Sequence, residues 1–150
     1  ATRIVSVESD PSWIDYIRKW RIIRKAEKTR LKFFSVNIGK VGDWGVPIET
    51  DKANLFPDYS RNVFEKFKDN DLIFIDGRFR VACAIQAVLN SSINTKILMH
   101  DYTDREYYHV IEQFLDIVEV VDTMVLFKIK SDIDREQLLK LYEKYQYISD

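Results

Sequence analysis

The sequence predicts an α/β domain with a doubly wound, mostly parallel sheet closed by an antiparallel hairpin. Three observations carry this reading. Short apolar runs alternate with helical patterns along the chain, as parallel strands joined by crossover helices require. The run Leu72-Ile73-Phe74-Ile75 stops at Asp76-Gly77, and a helical pattern from Val81 to Leu89 starts at once. Four consecutive apolar residues of this kind read as a strand buried on both faces. Near the end of the chain, Ile117–Val121 and Thr123–Ile129 flank Asp122 with no room for a crossover, which leaves a hairpin.

A chain of 150 residues can build one domain with a proper core. A net charge of -1 gives no electrostatic case for nucleic acid. No apolar run reaches membrane-spanning length and no signal-peptide pattern is present, so a cytoplasmic protein without a membrane partner is expected. The lone cysteine, Cys83, lies in an apolar helical run and reads as a small buried hydrophobe. The chain opens on Ala1-Thr2-Arg3 and enters a strand pattern at once. The expectation is a single domain over 1–150 whose first part is missing from this sequence.

Taken in order, Arg3–Glu8 is a strand with Glu8 at its carboxyl end. Asp10-Pro11 then starts a helix, since Asp caps well and Pro suits the first helical position. This helix carries Trp13, Tyr16, Ile17, Trp20 and Ile23 on one arc, with five basic residues largely off it. Leu31–Val36 is a second strand ending at Asn37-Ile38-Gly39. The polar stretch from Gly39 to Pro57 holds three of the four glycines. Its glycine spacing does not match a dinucleotide fingerprint, and a lid or substrate loop around Trp44 is the functional expectation. A helix over Tyr59–Phe67 leads into the central strand. Lys96–Met99 forms the next strand and ends in His100-Asp101-Tyr102. A helix from Asp104 carries Tyr108, Ile111, Phe114, Leu115 and Val118, and Ser131-Asp132 opens a terminal helix.

Two strands therefore end in acids, Asp76 and Asp101, with His100 between them in chemistry. One helix of ordinary crossover length joins these strands, so they are expected to be parallel neighbours about 4.8 Å apart. Open α/β sheets bind ligands at that edge. The pair could hold an oxygen-liking divalent ion such as magnesium. Alternatively His100 or Asp101 could act as a general base on a hydroxyl. Asp76 could also serve only as the cap of the following helix. Glu8 is a third acid at a strand end, suited to ribose hydroxyls. Arg78, Arg80 and Arg105 could grip a carboxylate or phosphate, with surface ion pairing as the plainer reading.

The series Ile4–Glu8, Leu72–Gly77 and Ile97–Tyr102, closed by Val118–Val121 and Met124–Phe127, resembles the class I S-adenosylmethionine-dependent methyltransferases. Asp76-Gly77 with His100-Asp101-Tyr102 most resembles the O-methyltransferase branch. Gly42-Asp43-Trp44-Gly45 with Asp76–Cys83 is similar to an uncharacterised bacterial subgroup. The resemblance implies a Rossmann-like fold whose first strand and glycine loop would precede Arg3. It implies S-adenosylmethionine as cofactor, with Glu8 on the ribose and Ile38 and Gly39 near the adenine. Asp76 would lie at both the cofactor and the reaction. Asp76, His100 and Asp101 are then the catalytic candidates, and Arg78, Tyr102 and Trp44 the substrate-binding ones. Some relatives hold magnesium with acids matching Asp76 and Asp101.

The implied function is methyl transfer to a hydroxyl of a sugar or other small molecule. The alternatives are a non-catalytic binding module that keeps the fold without the cofactor glycine loop, or an enzyme acting on another nucleotide-linked substrate. The expected partner is a small-molecule or glycan substrate, and a homo-oligomer is compatible with the sequence.

Overall fold

A computed structural model describes residues 1–149. The chain forms two compact units, Ala1–Val63 and Phe64 onward.

In the first unit, strands β1 (Ile4–Glu8) and β2 (Leu31–Ser35) pair in parallel, with Glu8 opposite Ser35. Two short helices connect them, α1 (Pro11–Ile17) and α2 (Arg21–Glu27), in place of the single helix the periodicity predicts. The start of α1 is the predicted one: Asp10 Oδ1 accepts from the Ser12 amide at 2.9 Å, and Pro11 fills the first turn. The break at Arg18–Trp20 is held by arginines. Arg24 Nη1 donates to the carbonyls of Arg18 and Lys19, both at 2.7 Å, and Arg18 pairs with Glu27 at 2.8 Å. The expected arc is not the inward face: Trp13, Tyr16 and Trp20 are exposed, Ile17 and Ile23 only half-buried, and the buried residue is Ile14, which lies off that arc.

After β2, Val36 and Ile38 are buried, and the Gly39 amide donates to Asn37 Oδ1 at 3.0 Å. The polar stretch that follows is ordered by its own backbone. The Gly42 amide bonds to the Val46 carbonyl, the Ile48 amide to Lys40, and Val41 bridges Pro47. Trp44 stands in the turn so closed, 90% exposed and at a left-handed φ of 59°. A 3-10 segment, Thr50–Leu55, then runs into α3 (Phe56–Lys66), which starts a turn earlier than expected. Pro57 explains that start, since the first turn of a helix needs no amide hydrogen there.

The second unit holds a four-stranded sheet in the order β3-β4-β6-β5. Strands β3 (Leu72–Ile75) and β4 (Lys96–Met99) are parallel, with Ile75 opposite Met99. Strands β5 (Leu115–Val121) and β6 (Met124–Ile129) form the predicted antiparallel hairpin, and β6 lies between β4 and β5. The fold is thus the expected mixed α/β class, with parallel strands and an antiparallel closure.

Two local expectations are corrected. Leu72 and Phe74 are more than half exposed and only Ile75 is buried, so β3 is buried on one face. Among the described residues β3 pairs with β4 alone, and its alternate side chains point to opposite faces. The stretch expected as a helix through Val118 is a 3-10 segment, Glu106–Gln113, and Leu115 already belongs to β5. Both assignments bury Tyr108, Ile111 and Leu115, so spacing alone could not separate them. Helix α4 (Arg80–Asn90) is the core of this unit, with eight buried residues, and Leu138 and Tyr142 are the buried residues of α5 (Arg135–Tyr145). Among the described residues no helix is long and apolar enough to cross a membrane.

Candidate functional site

The register of β3 and β4 builds the site. Because Ile75 faces Met99, the next residues, Asp76 and His100, leave the sheet side by side. The His100 amide still bonds to the Ile75 carbonyl at 3.1 Å, which fixes that exit. The chain turns sharply there, with Asp101 at φ 51°, a left-handed conformation that Asp tolerates better than most residues. The turn swings both carboxylates onto one imidazole nitrogen. His100 Nδ1 lies 2.9 Å from Asp76 Oδ1 and 3.3 Å from Asp101 Oδ1. Sequence reasoning placed these three residues at one sheet edge, and the structure brings them together.

Like charges this close need compensation, and Arg80 supplies it. This first residue of α4 is 3% exposed. It donates through Nε to the Gly77 carbonyl at 2.9 Å, and through Nη1 to the His100 carbonyl at 2.7 Å and Asp101 Oδ2 at 3.2 Å. Its Nη2 lies 3.8 Å from Asp76 Oδ1. Arg105 adds a second guanidinium, 3.4 Å from Asp101 Oδ2 and 3.0 Å from the Tyr108 hydroxyl. Partial burial pushes the Asp101 carboxyl upward. The Arg80 hydrogen bond and the charges of His100, Arg80 and Arg105 outweigh it and hold the group below the usual carboxylate range. The Arg105 guanidinium is shifted up by its bond to the Tyr108 hydroxyl.

Arg80 was readable only as one of three basic residues, although its place on the buried arc of α4 with Ala84 and Ala87 was a signal. An arginine on an apolar helical arc must find acceptors or stay out of the core. The capping role considered for Asp76 does not hold, because the residue before α4 is Phe79 and no side chain caps the helix.

The donor set does not fit magnesium. One imidazole and two carboxylates have ligand atoms within 4.8 Å of one another, yet magnesium prefers an octahedral shell of oxygens and retained water. Both acids already face guanidinium groups, and His100 Nδ1 occupies the space between them.

The other candidate residues fall in separate places. Tyr102 is 1% exposed, and its hydroxyl donates to Glu112 Oε1 at 2.8 Å. Its ring packs against His109 and, edge-on, Phe127. Burial and the Glu112 bond push its phenol well above the usual range. Tyr102 is therefore a core residue, with neither ring nor hydroxyl left for substrate. Its neighbours in sequence are polar, which hid this. Arg78 lies in the turn between Asp76 and Arg80, half-buried. In the first unit, Glu8 Oε1 accepts from the amides of Ser9 and Asp10 at 2.8 and 3.1 Å. Ile38 is fully buried, and Gly39 takes φ +86° where a Cβ would meet Lys52 Cβ at 2.9 Å.

No protein-family model matches the chain, and no curated protein matches it. Among solved structures, the crystal structure of a methyltransferase-like protein from Silicibacter pomeroyi DSS-3 superposes with a TM-score of 0.83. Identity is 30%, over 99% of this chain and 77% of that one. This chain belongs to the methyltransferase-like proteins. For a methyltransferase-like protein, the acids and histidine at the ends of β3 and β4 occupy the sheet edge at which open α/β folds bind ligands.

Proposed function

We propose that this methyltransferase-like protein transfers a methyl group from S-adenosylmethionine to a hydroxyl of a sugar or another small molecule, as an O-methyltransferase with His100 as general base. The observation that carries this reading is the His100 Nδ1 contact with two carboxylate oxygens, at 2.9 and 3.3 Å. Two acceptors at Nδ1 place the proton of a neutral imidazole there, leaving Nε2 with its lone pair. Asp76 and Asp101 also stabilise the imidazolium that forms once Nε2 takes a proton. The His100 side chain is 38% exposed, so an acceptor molecule can reach it.

For the cofactor, Glu8 and Gly39 are the residues this reading assigns in the first unit. Glu8 ends β1, and Gly39 follows β2 at the same end of the parallel pair. The two backbone amides on Glu8 Oε1 hold the carboxylate in place, and a carboxylate so placed suits ribose hydroxyls. The Cβ-free surface of Gly39 keeps the chain close to Lys52, and Ile38 packs beneath it as core. S-adenosylmethionine, when bound, supplies an electrophilic methyl group on a sulfonium. His100 Nε2 would take the proton of the acceptor hydroxyl, while the cofactor would supply the methyl carbon and depart as a thioether.

The test is incorporation of label from methyl-labelled S-adenosylmethionine into a panel of sugars and hydroxylated small molecules. Replacing His100 with Gln should lower transfer by about 10²–10⁴-fold, the usual worth of a general base. A His100→Gln protein as active as the parent overturns the base assignment. Cofactor binding by calorimetry with no transfer to any acceptor would favour the non-catalytic binding module.

A further inference from the structure

Two arginines contact the acid pair, a third lies in the turn after Asp76, and their donors are used differently. Arg80 directs Nε and Nη1 at two carbonyls and a carboxylate. Arg105 divides its donors between Asp101 and the Tyr108 hydroxyl. Arg78 stands apart. Its Nε is buried with no hydrogen-bond partner, and among the described residues no ion pair includes it. A buried guanidinium donor without an acceptor is rare in folded proteins and calls for an explanation, a bound ion being one of them.

The charges around Arg78 point to what that is. Asp76 and Asp101 are matched by Arg80 and Arg105. Arg78 leaves a positive charge over, two residues along the turn from Asp76. The turn leads into α4, an eleven-residue helix whose start carries no side-chain cap. Its positive pole adds to the preference for an anion.

We infer that Arg78 binds an oxyanion on the acceptor, so that the molecule methylated is a hydroxylated compound carrying a carboxylate or a phosphate. This rests on the methyl-transfer reading for the word acceptor, but the binding itself does not. The planar guanidinium fork matches two coplanar oxygens of either group. Gripped there, the anion would anchor the acceptor in the turn beside the Asp76–His100 pair and bring its hydroxyl toward Nε2.

The experiment uses the full chain, labelled with nitrogen-15, without cofactor. The Arg78 Nε–H signal is assigned by its loss in Arg78→Lys. Inorganic phosphate and acetate are then titrated separately at constant ionic strength against chloride. The expected result is a saturable shift of the Arg78 signal with at least one probe, while the Arg80 signal stays in place. Phosphate alone would assign a phosphorylated acceptor, acetate alone a carboxylate, and both support the site. Arg78→Met should weaken binding by at least about tenfold, as removal of a charge-assisted hydrogen bond predicts. No saturable shift with either probe, or equal affinity in Arg78→Met with the Arg80 signal unmoved, overturns the inference. Anion binding without methyl transfer would instead overturn only the proposed function.

Discussion

Arg80 Nη1 donates to the carbonyl oxygen of His100 at 2.7 Å. This bond ties the first residue of α4 to the first residue after β4. The same nitrogen reaches Asp101 Oδ2, and Nε reaches Gly77. One buried side chain thus fixes the two turns that carry the acids and the histidine.

Replacing Arg80 with Met should therefore destabilise the protein by about 3 kcal/mol or more. It removes a buried cation and leaves two carbonyls and a carboxylate without their donor. Urea unfolding measures this. Arg80→Lys should recover part of the loss, because an ammonium restores charge but lacks the fork. Equal stability of Arg80→Met and the parent would show that the turns hold without it.

Asp101 predicts a pH dependence. Its carboxyl lies below the ordinary value of 3.8 in the folded chain, so the unfolded chain binds that proton more readily. The stabilisation is fully present above about pH 3.8 and is lost as pH falls through the folded value. Asp101→Asn removes it, and Asn tolerates the left-handed backbone at this position. Between pH 6 and 3, urea midpoints should fall less for Asp101→Asn than for the parent. Parallel curves would mean that the arginines do not stabilise the charged form.

Much of this site is legible in the sequence, for a physical reason. A strand end is marked by where an apolar run meets an acid, and Asp76 and Asp101 announce themselves that way. Parallel register then follows from the single crossover helix between them. What is hidden depends on neighbours distant in sequence. Tyr102 follows two polar residues, yet its ring is packed by His109 and Phe127. The charge on the acids is met by Arg80, whose buried location is set by helix packing. The break between α1 and α2 has no glycine or proline to signal it, only the Arg24 and Arg18 contacts. The exposed face of β3 follows from its pairing, which an apolar run cannot reveal.

Gly39 is the next test. With φ at +86° and a Cβ position 2.9 Å from Lys52 Cβ, Gly39→Ala is strained both by backbone and by contact. It should cost about 1–2 kcal/mol from the left-handed backbone alone, with the contact adding to it. On the proposed reading, it should also weaken S-adenosylhomocysteine binding in calorimetry. A variant as stable as the parent would mean that the loop relaxes freely around position 39.

Asp76→Asn separates charge from shape at the proposed centre. Asn keeps the size of Asp and an oxygen that can accept from His100 Nδ1, so the turn after β3 should persist. Asp76 caps no helix, since Phe79 precedes α4, and its side chain is 46% exposed. Stability should accordingly change by less than about 0.5 kcal/mol, as for an exposed surface substitution. What changes is the chemistry. The amide cannot stabilise an imidazolium as a carboxylate does, and its NH₂ can turn toward Nδ1 and favour the wrong tautomer. Methyl transfer should fall by about 10²–10⁴-fold, with the loss in kcat and little change in KM. An uncharged residue that supported full activity would leave Asp101 as the only acid partner of His100. A rise in KM alone, with kcat unchanged, would make Asp76 a binding group with no part in the proton transfer.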